Sequence, residues 1–97
     1  MDFTAFPLRV GTVTEAEMTG PALRLVVDLG GGDLRTTTAR ITERYDAENV
    51  LGRQVVVVLD PPRGGPNEVV VLAAVSPEHG AVLLRPDTPV ADGTAVV

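Results

Sequence analysis

Gln54-Val55-Val56-Val57-Val58-Leu59-Asp60, Pro61-Pro62-Arg63-Gly64-Gly65-Pro66-Asn67-Glu68 and Val69-Val70-Val71-Leu72-Ala73-Ala74-Val75 follow one another without a break. Two β-branched apolar runs flank a loop of turn-forming residues, the signature of a hairpin. The runs are scaffold. The loop presents Arg63, Asn67 and Glu68, and a stiff loop on a rigid sheet is where a binding protein places its contacts.

Upstream, Leu8 to Glu17 reads as a first strand with Gly11 inside it, where a bend or a close backbone approach is expected. Leu23, Leu25, Val27 and Leu29 alternate with Arg24, Val26 and Asp28, giving a half-buried second strand. The glycine run Gly30 to Gly32 with Asp33 is a turn, and Leu34 to Ala39 a third strand. Arg35, Thr37 and Ala39 share one face of it; Leu34, Thr36 and Thr38 share the other. Asp46 can cap a short helix through Leu51, with Gly52 ending it. Gln54–Leu59 and Val69–Val75 are the fourth and fifth strands, Val82 to Leu84 is a further short one, and Ala95 to Val97 ends the chain.

The 97 residues make one domain, 1–97, with a modest core. Short strands, regular turn signals and one small helix between strands 3 and 4 predict an all-β fold. The best match is a five-stranded Greek-key barrel of the OB type, a fold that binds ligands on one face and its adjoining loops. Val55–Leu59 and Val69–Leu72 are apolar on both faces, and a barrel interior covers only one. A symmetric homodimer would cover the other face and the apolar tail with one contact. The alternative cover is the segment Phe3 to Phe6.

The residues offer little for chemistry. There is no Cys, one Ser (Ser76) and one His (His79), and those two share a turn where nothing orients a base. No metal or organic cofactor is expected. The glycine run lacks the Lys-Ser/Thr of a phosphate loop. Glu15 and Glu17 read as a solvated strand edge. No run is apolar enough to span a membrane and no signal peptide is visible, so a cytoplasmic address without membrane insertion is expected.

Net charge is −5, against non-specific nucleic-acid binding. All eight basic residues are Arg, the side chain suited to bidentate recognition of phosphate or carboxylate. Arg35 and Thr37 point the same way on the third strand, Arg40 and Arg44 follow it, and Arg63 can join them from the hairpin loop. Together they could form a basic spot that binds phosphates or peptide carboxylates and carbonyls. The competing reading is that each Arg pairs with a nearby acid such as Glu43, Asp60 or Glu68. The only aromatics are Phe3, Phe6 and Tyr45, too few for the base-stacking platform of single-strand binders.

A resemblance runs along nearly the whole chain. Leu8-Arg9-Val10-Gly11-Thr12-Val13 resembles Ile-Arg-Val-Gly-x-Val, and Leu23-Arg24-Leu25-Val26-Val27-Asp28-Leu29-Gly30 resembles Tyr-Lys-Leu-x-Val-Asp-Phe-Gly. Arg35-Thr36-Thr37-Thr38-Ala39-Arg40-Ile41 resembles Arg/Lys-x-Ser-Ser-Ala-x-Ile. Leu51-Gly52-Arg53-Gln54-Val55, Pro61-Pro62-Arg63, Leu83-Leu84-Arg85-Pro86-Asp87, Val90 and Gly93 continue in order. These are motifs of the tRNA-binding-domain family, which includes the domain appended to methionyl-tRNA synthetases and the free-standing secretion chaperone CsaA. Asn67-Glu68-Val69-Val70-Val71-Leu72 resembles the Ser-Glu-Val-Leu-Val-Leu of the CsaA branch, and the Ser-x-Gly-Met of many tRNA binders is missing.

The resemblance implies an OB-fold, a homodimer and no enzyme activity. It implies a chaperone that binds unfolded or preprotein peptide segments, with Arg35, Thr37, Arg63, Asn67 and Glu68 on or beside the ligand surface; the charge reading adds Arg40. The alternative within the family is structure-specific tRNA binding by the same surface. A third possibility is an accessory domain docked on a synthetase.

Overall fold

A computed structural model describes residues 7–97. Its elements are β1 (Leu8–Thr19), β2 (Ala22–Asp28), β3 (Leu34–Ala39), α1 (Ala47–Val50), β4 (Gln54–Leu59), β5 (Val69–Val71), β6 (Ala73–Ser76), β7 (Gly80–Leu83) and β8 (Ala95–Val96). The main sheet runs β3-β2-β1-β4-β5, all neighbours antiparallel, with β8 beside the start of β1. A single parallel bridge, Thr36 to Glu68, joins β3 to β5 and brings the barrel almost to closure. The Thr36 amide donates to the Asn67 carbonyl there, at 2.9 Å. This is the expected OB architecture.

The long β1 makes the closure possible. Leu8 to Thr12 pairs with β4, and Thr12 to Thr19 pairs with β2, with a register shift between Val13 and Glu15 that bends the strand. Gly11 sits at this corner. A Cβ on it would lie 2.5 Å from Val27 Cγ1 and 2.9 Å from the Asp28 carbonyl oxygen, so only glycine lets β2 come this close.

Val13, Leu23, Leu25, Val27, Val55, Val57 and Val69 fill the barrel, and Val50 of α1 joins the same cluster, fully buried. The helix is one turn long and stands on its cap. The Asp46 carboxylate accepts from the Glu48 and Asn49 amides, and the Asn49 side chain returns the bond to the Asp46 amide. Gly52, at φ +80, ends it as expected.

Two expectations need correction. The apolar run from Val69 to Val75 is two strands rather than one. It breaks at Leu72, whose amide bonds the Val56 carbonyl and whose carbonyl takes the Leu84 amide, so that β6 leaves the barrel and pairs with β7. The outer face of β4 is also covered in part by the chain itself. Val10 and Val56, partners in register and outside the barrel cluster, are buried in the monomer. Gln54, on the same face as Val56, holds the Val90 backbone at both its NH and its carbonyl. Farther along, Gly93 NH donates to the Val10 carbonyl and Asp92 accepts from Thr12 Oγ1. The segment Phe3 to Phe6 lies outside the described residues.

Candidate functional site

β3 is paired with β2 along its whole length but meets β5 at one point only. Past Thr36 the two strands diverge, because β5 is three residues long and the chain turns away at Leu72. A groove of about 510 Å³ opens between them. Its floor is mostly apolar, built from Ala39, Ile41, Val69 and Val71 with Ala73 and Ala81 of the β6–β7 hairpin, and with the buried Thr37 among them. Its exposed rim carries Arg24, Thr38, Arg40, Glu68 and Val70. A second, more apolar depression of about 430 Å³ adjoins it, formed by Pro61, Pro62, Arg63 and Gly64. Glu68 and Val70 border both.

The loop between β4 and β5 is stiff for local reasons. Asp60 adopts φ +50 and directs the chain out of β4. Two turns follow, closed by bonds from the Gly64 amide to the Pro61 carbonyl and from the Glu68 amide to the Gly65 carbonyl. Two prolines in tandem restrict the backbone further.

Of the residues singled out in the sequence, the structure brings Thr37, Arg40 and Glu68 to the main groove and Arg63 to its neighbour. Thr37 is only 7% exposed, because the face it shares with Ala39 points into the barrel; it reaches the groove as floor. Arg35 and Asn67 line neither depression. Asn67 contributes the carbonyl that closes the barrel. Arg35 is held by Asp33, with its Nε 2.7 Å from Oδ1, and its side chain is 19% exposed. That hydrogen bond raises the guanidinium pKa above its usual value; partial burial opposes it, and the charges of Asp33 and Asp60 add to it. Its partner is none of the acids anticipated. Of the arginines expected to form one basic spot, Arg40 thus lines the main groove, Arg63 its neighbour and Arg35 neither. Arg24 was missed, although its register opposite Thr38 places it on the outer face. Ala73 and Ala81 give no signal in sequence.

The Ser76–His79 pair is structural: the His79 amide donates to Ser76 Oγ at 3.0 Å and caps the turn. Among the described residues no group of three or more His, Cys, Asp or Glu is placed to hold a metal. No helix among them is long and apolar enough to cross a membrane.

No family model matches the chain. It is 42% identical over 100 residues to a methionine–tRNA ligase of Methanothrix thermoacetophila, a match that takes in 97% of this chain and 15% of the ligase. The chain thus spans roughly a seventh of the length of the curated relatives it matches. Among solved structures, the chaperone CsaA of Bacillus anthracis superposes with a TM-score of 0.88 at 36% identity, covering 99% of this chain and 94% of that one. CsaA of Picrophilus torridus does so with a TM-score of 0.81 at 28% identity, over 99% and 95% of the two chains. With the barrel, its ordered motifs and these likenesses together, the chain belongs to the tRNA-binding-domain family of OB-fold proteins, close to CsaA.

Proposed function

We propose that the chain is a non-catalytic, homodimeric peptide-binding protein that holds extended segments of unfolded or precursor proteins in the groove between β3 and β5. The observation that carries this reading is the make-up of the groove. An apolar floor gives affinity to any exposed hydrophobic segment. Arg24 and Arg40 on the rim can hold carbonyls or acidic side chains, while Glu68 on the border of both depressions suits the amides and basic groups of a peptide. A carboxylate at that point opposes a phosphate backbone. Arg63, exposed beside Pro61 and Pro62, supplies the contact at the far end.

The homodimer rests on apolar surface that the monomer leaves uncovered. Val75, Leu84, Val90, Val96 and Val97 are all exposed, with Val75 at 79%. A second copy seated on them would cover them with one isologous contact. The proposed compartment is the cytoplasm.

Structure-specific binding of tRNA by the same surface is the second reading, favoured by the likeness to methionine–tRNA ligases. Salt separates the two. A permanently unfolded chain, such as carboxyamidomethylated α-lactalbumin, and bulk tRNA are each titrated at low and at physiological salt. Peptide binding through the apolar floor should change little between them. Contact with several phosphates would lose about a thousandfold in affinity or more between roughly 50 and 200 mM salt. Micromolar binding of the unfolded chain, weakened by Arg63→Ala, supports the proposal; tight, salt-sensitive tRNA binding with no capture of the unfolded chain rejects it.

A further inference from the structure

On a part of the surface sharing no lining residue with either depression of the groove, Arg44, Arg53 and Arg85 line one concavity with Tyr45. They come from three separate segments: the turn before α1, the residue preceding β4 and the stretch after β7. Two concavities of about 260 and 640 Å³ meet here, sharing Arg53, Gln54 and Arg85. The smaller is lined by no carboxylate, and the larger by one, Asp87. Among the described residues none of the three guanidinium groups has an acid within 4.0 Å.

Asp87 lines only the larger concavity, so in a chain of net charge −5 three of the eight cations line the smaller one with no acid in contact, an arrangement that mutual repulsion disfavours. One of them is also preset. Arg53 Nε donates to the Asn49 carbonyl at 2.7 Å, and the guanidinium lies over the Tyr45 ring, 5.5 Å from its centre. Tyr45 is fixed in turn, buried and accepting from the Leu83 amide at 3.0 Å. The outer N–H groups of Arg53 find no acceptor among the described residues. A guanidinium held at its inner edge, with its outer edge open, is prepared for an oxyanion. Gln54 is committed to the Val90 backbone, and its Nε2 also lies 3.5 Å from Asp92 Oδ1, so the open donors here are those of the arginines.

We propose that Arg44, Arg53 and Arg85 form a binding site for a phosphate group. Three cations lining one concavity suit a tetrahedral anion, whose oxygens accept in several directions, better than a planar carboxylate. The phosphate could be free, as in pyrophosphate, or part of a nucleic-acid backbone, and the two are separable by experiment.

The amide and Arg Nε signals of the full chain are followed by NMR in two titrations, one with pyrophosphate and one with a short single-stranded oligonucleotide. The expected result is saturable shifts of the Arg53 Nε, Gln54 and Arg85 signals in at least one titration, with the groove unmoved. Arg85 is exposed and makes no hydrogen bond within the described residues, so Arg85→Gln should fold normally. It should weaken that binding by about tenfold or more, the worth of one hydrogen bond to a charged group. Arg24→Gln, on the groove rim, should leave it unchanged. Response to pyrophosphate alone marks a free phosphate as the ligand; tighter binding of the oligonucleotide marks the phosphodiester. Silence of these signals at millimolar concentrations of both anions, or equal binding by Arg85→Gln, overturns the site.

Discussion

Replacing Gly11 by Ala tests whether the close approach at the barrel corner is what sets the path of β1. The added Cβ would sit 2.5 Å from Val27 Cγ1, 2.8 Å from Leu29 Cδ2 and 2.9 Å from the Asp28 carbonyl oxygen. Carbon atoms in contact prefer about 3.5–4.0 Å, so Val27 must retreat by roughly an ångström. Val27 is fully buried, and a β-branched side chain has few alternative rotamers. Leu29 can swing its methyl aside, but the Asp28 carbonyl is backbone. Overpacking of this kind costs about 1–3 kcal/mol, while the lower chain entropy of unfolded alanine returns about 0.4–1 kcal/mol. The net loss should be about 1–2 kcal/mol, and for a domain of this size each kcal/mol lowers Tm by about 4–8 °C. Urea and thermal melts followed by far-UV circular dichroism measure it. Val27→Ala removes the closest obstructing atom, so the double variant should be more stable than the sum of the single losses predicts. A Gly11→Ala protein as stable as the parent, or strict additivity with Val27→Ala, would refute the reasoning.

Two further outcomes follow from particular contacts. Tyr45→Phe keeps the ring under Arg53 but leaves the Leu83 amide without its acceptor. Because Leu83 is only half buried, the loss should fall near the lower end of the 1–3 kcal/mol typical of an unmet donor, about 1 kcal/mol; an unchanged urea midpoint would show that water replaces the hydroxyl fully. Val97→Asp places a charge on a fully exposed apolar tail residue. In sedimentation at low micromolar concentration it should shift the proposed dimer to monomer, and a surviving dimer would place the subunit contact elsewhere.

Local chemistry made much of the barrel legible. Valine runs on both sides of a proline-glycine loop pair as β4 and β5 because nothing else in that stretch competes. Asp46 and Gly52 mark both ends of a helix only four residues long. Gly11 shows itself as a glycine inside a strand pattern. What stayed hidden depends on partners distant in sequence. Val69 to Val75 contains no turn residue, and the break at Leu72 comes from bonds to Val56 and Leu84. Three consecutive threonines, 36 to 38, cannot say which face of β3 points inward, so the burial of Thr37 leaves no mark in the residue types. Arg35 pairs with Asp33, two residues back in the preceding turn, whereas Glu43, Asp60 and Glu68 lie farther along the chain. The groove itself is a gap between strands that fail to pair, and residue types carry no mark of that.

The central claim is that the opening between β3 and β5 is the ligand surface and that its ligand is a polypeptide. The direct measurement is an amide chemical-shift map of the protein titrated with the same unfolded α-lactalbumin. The account predicts that the shifts gather at Thr38, Ala39, Arg40, Glu68, Val70 and Val71, lining the groove, with Arg63 at its edge. Shifts confined to other surfaces, or an unmoved groove in the presence of saturating unfolded chain, would contradict it.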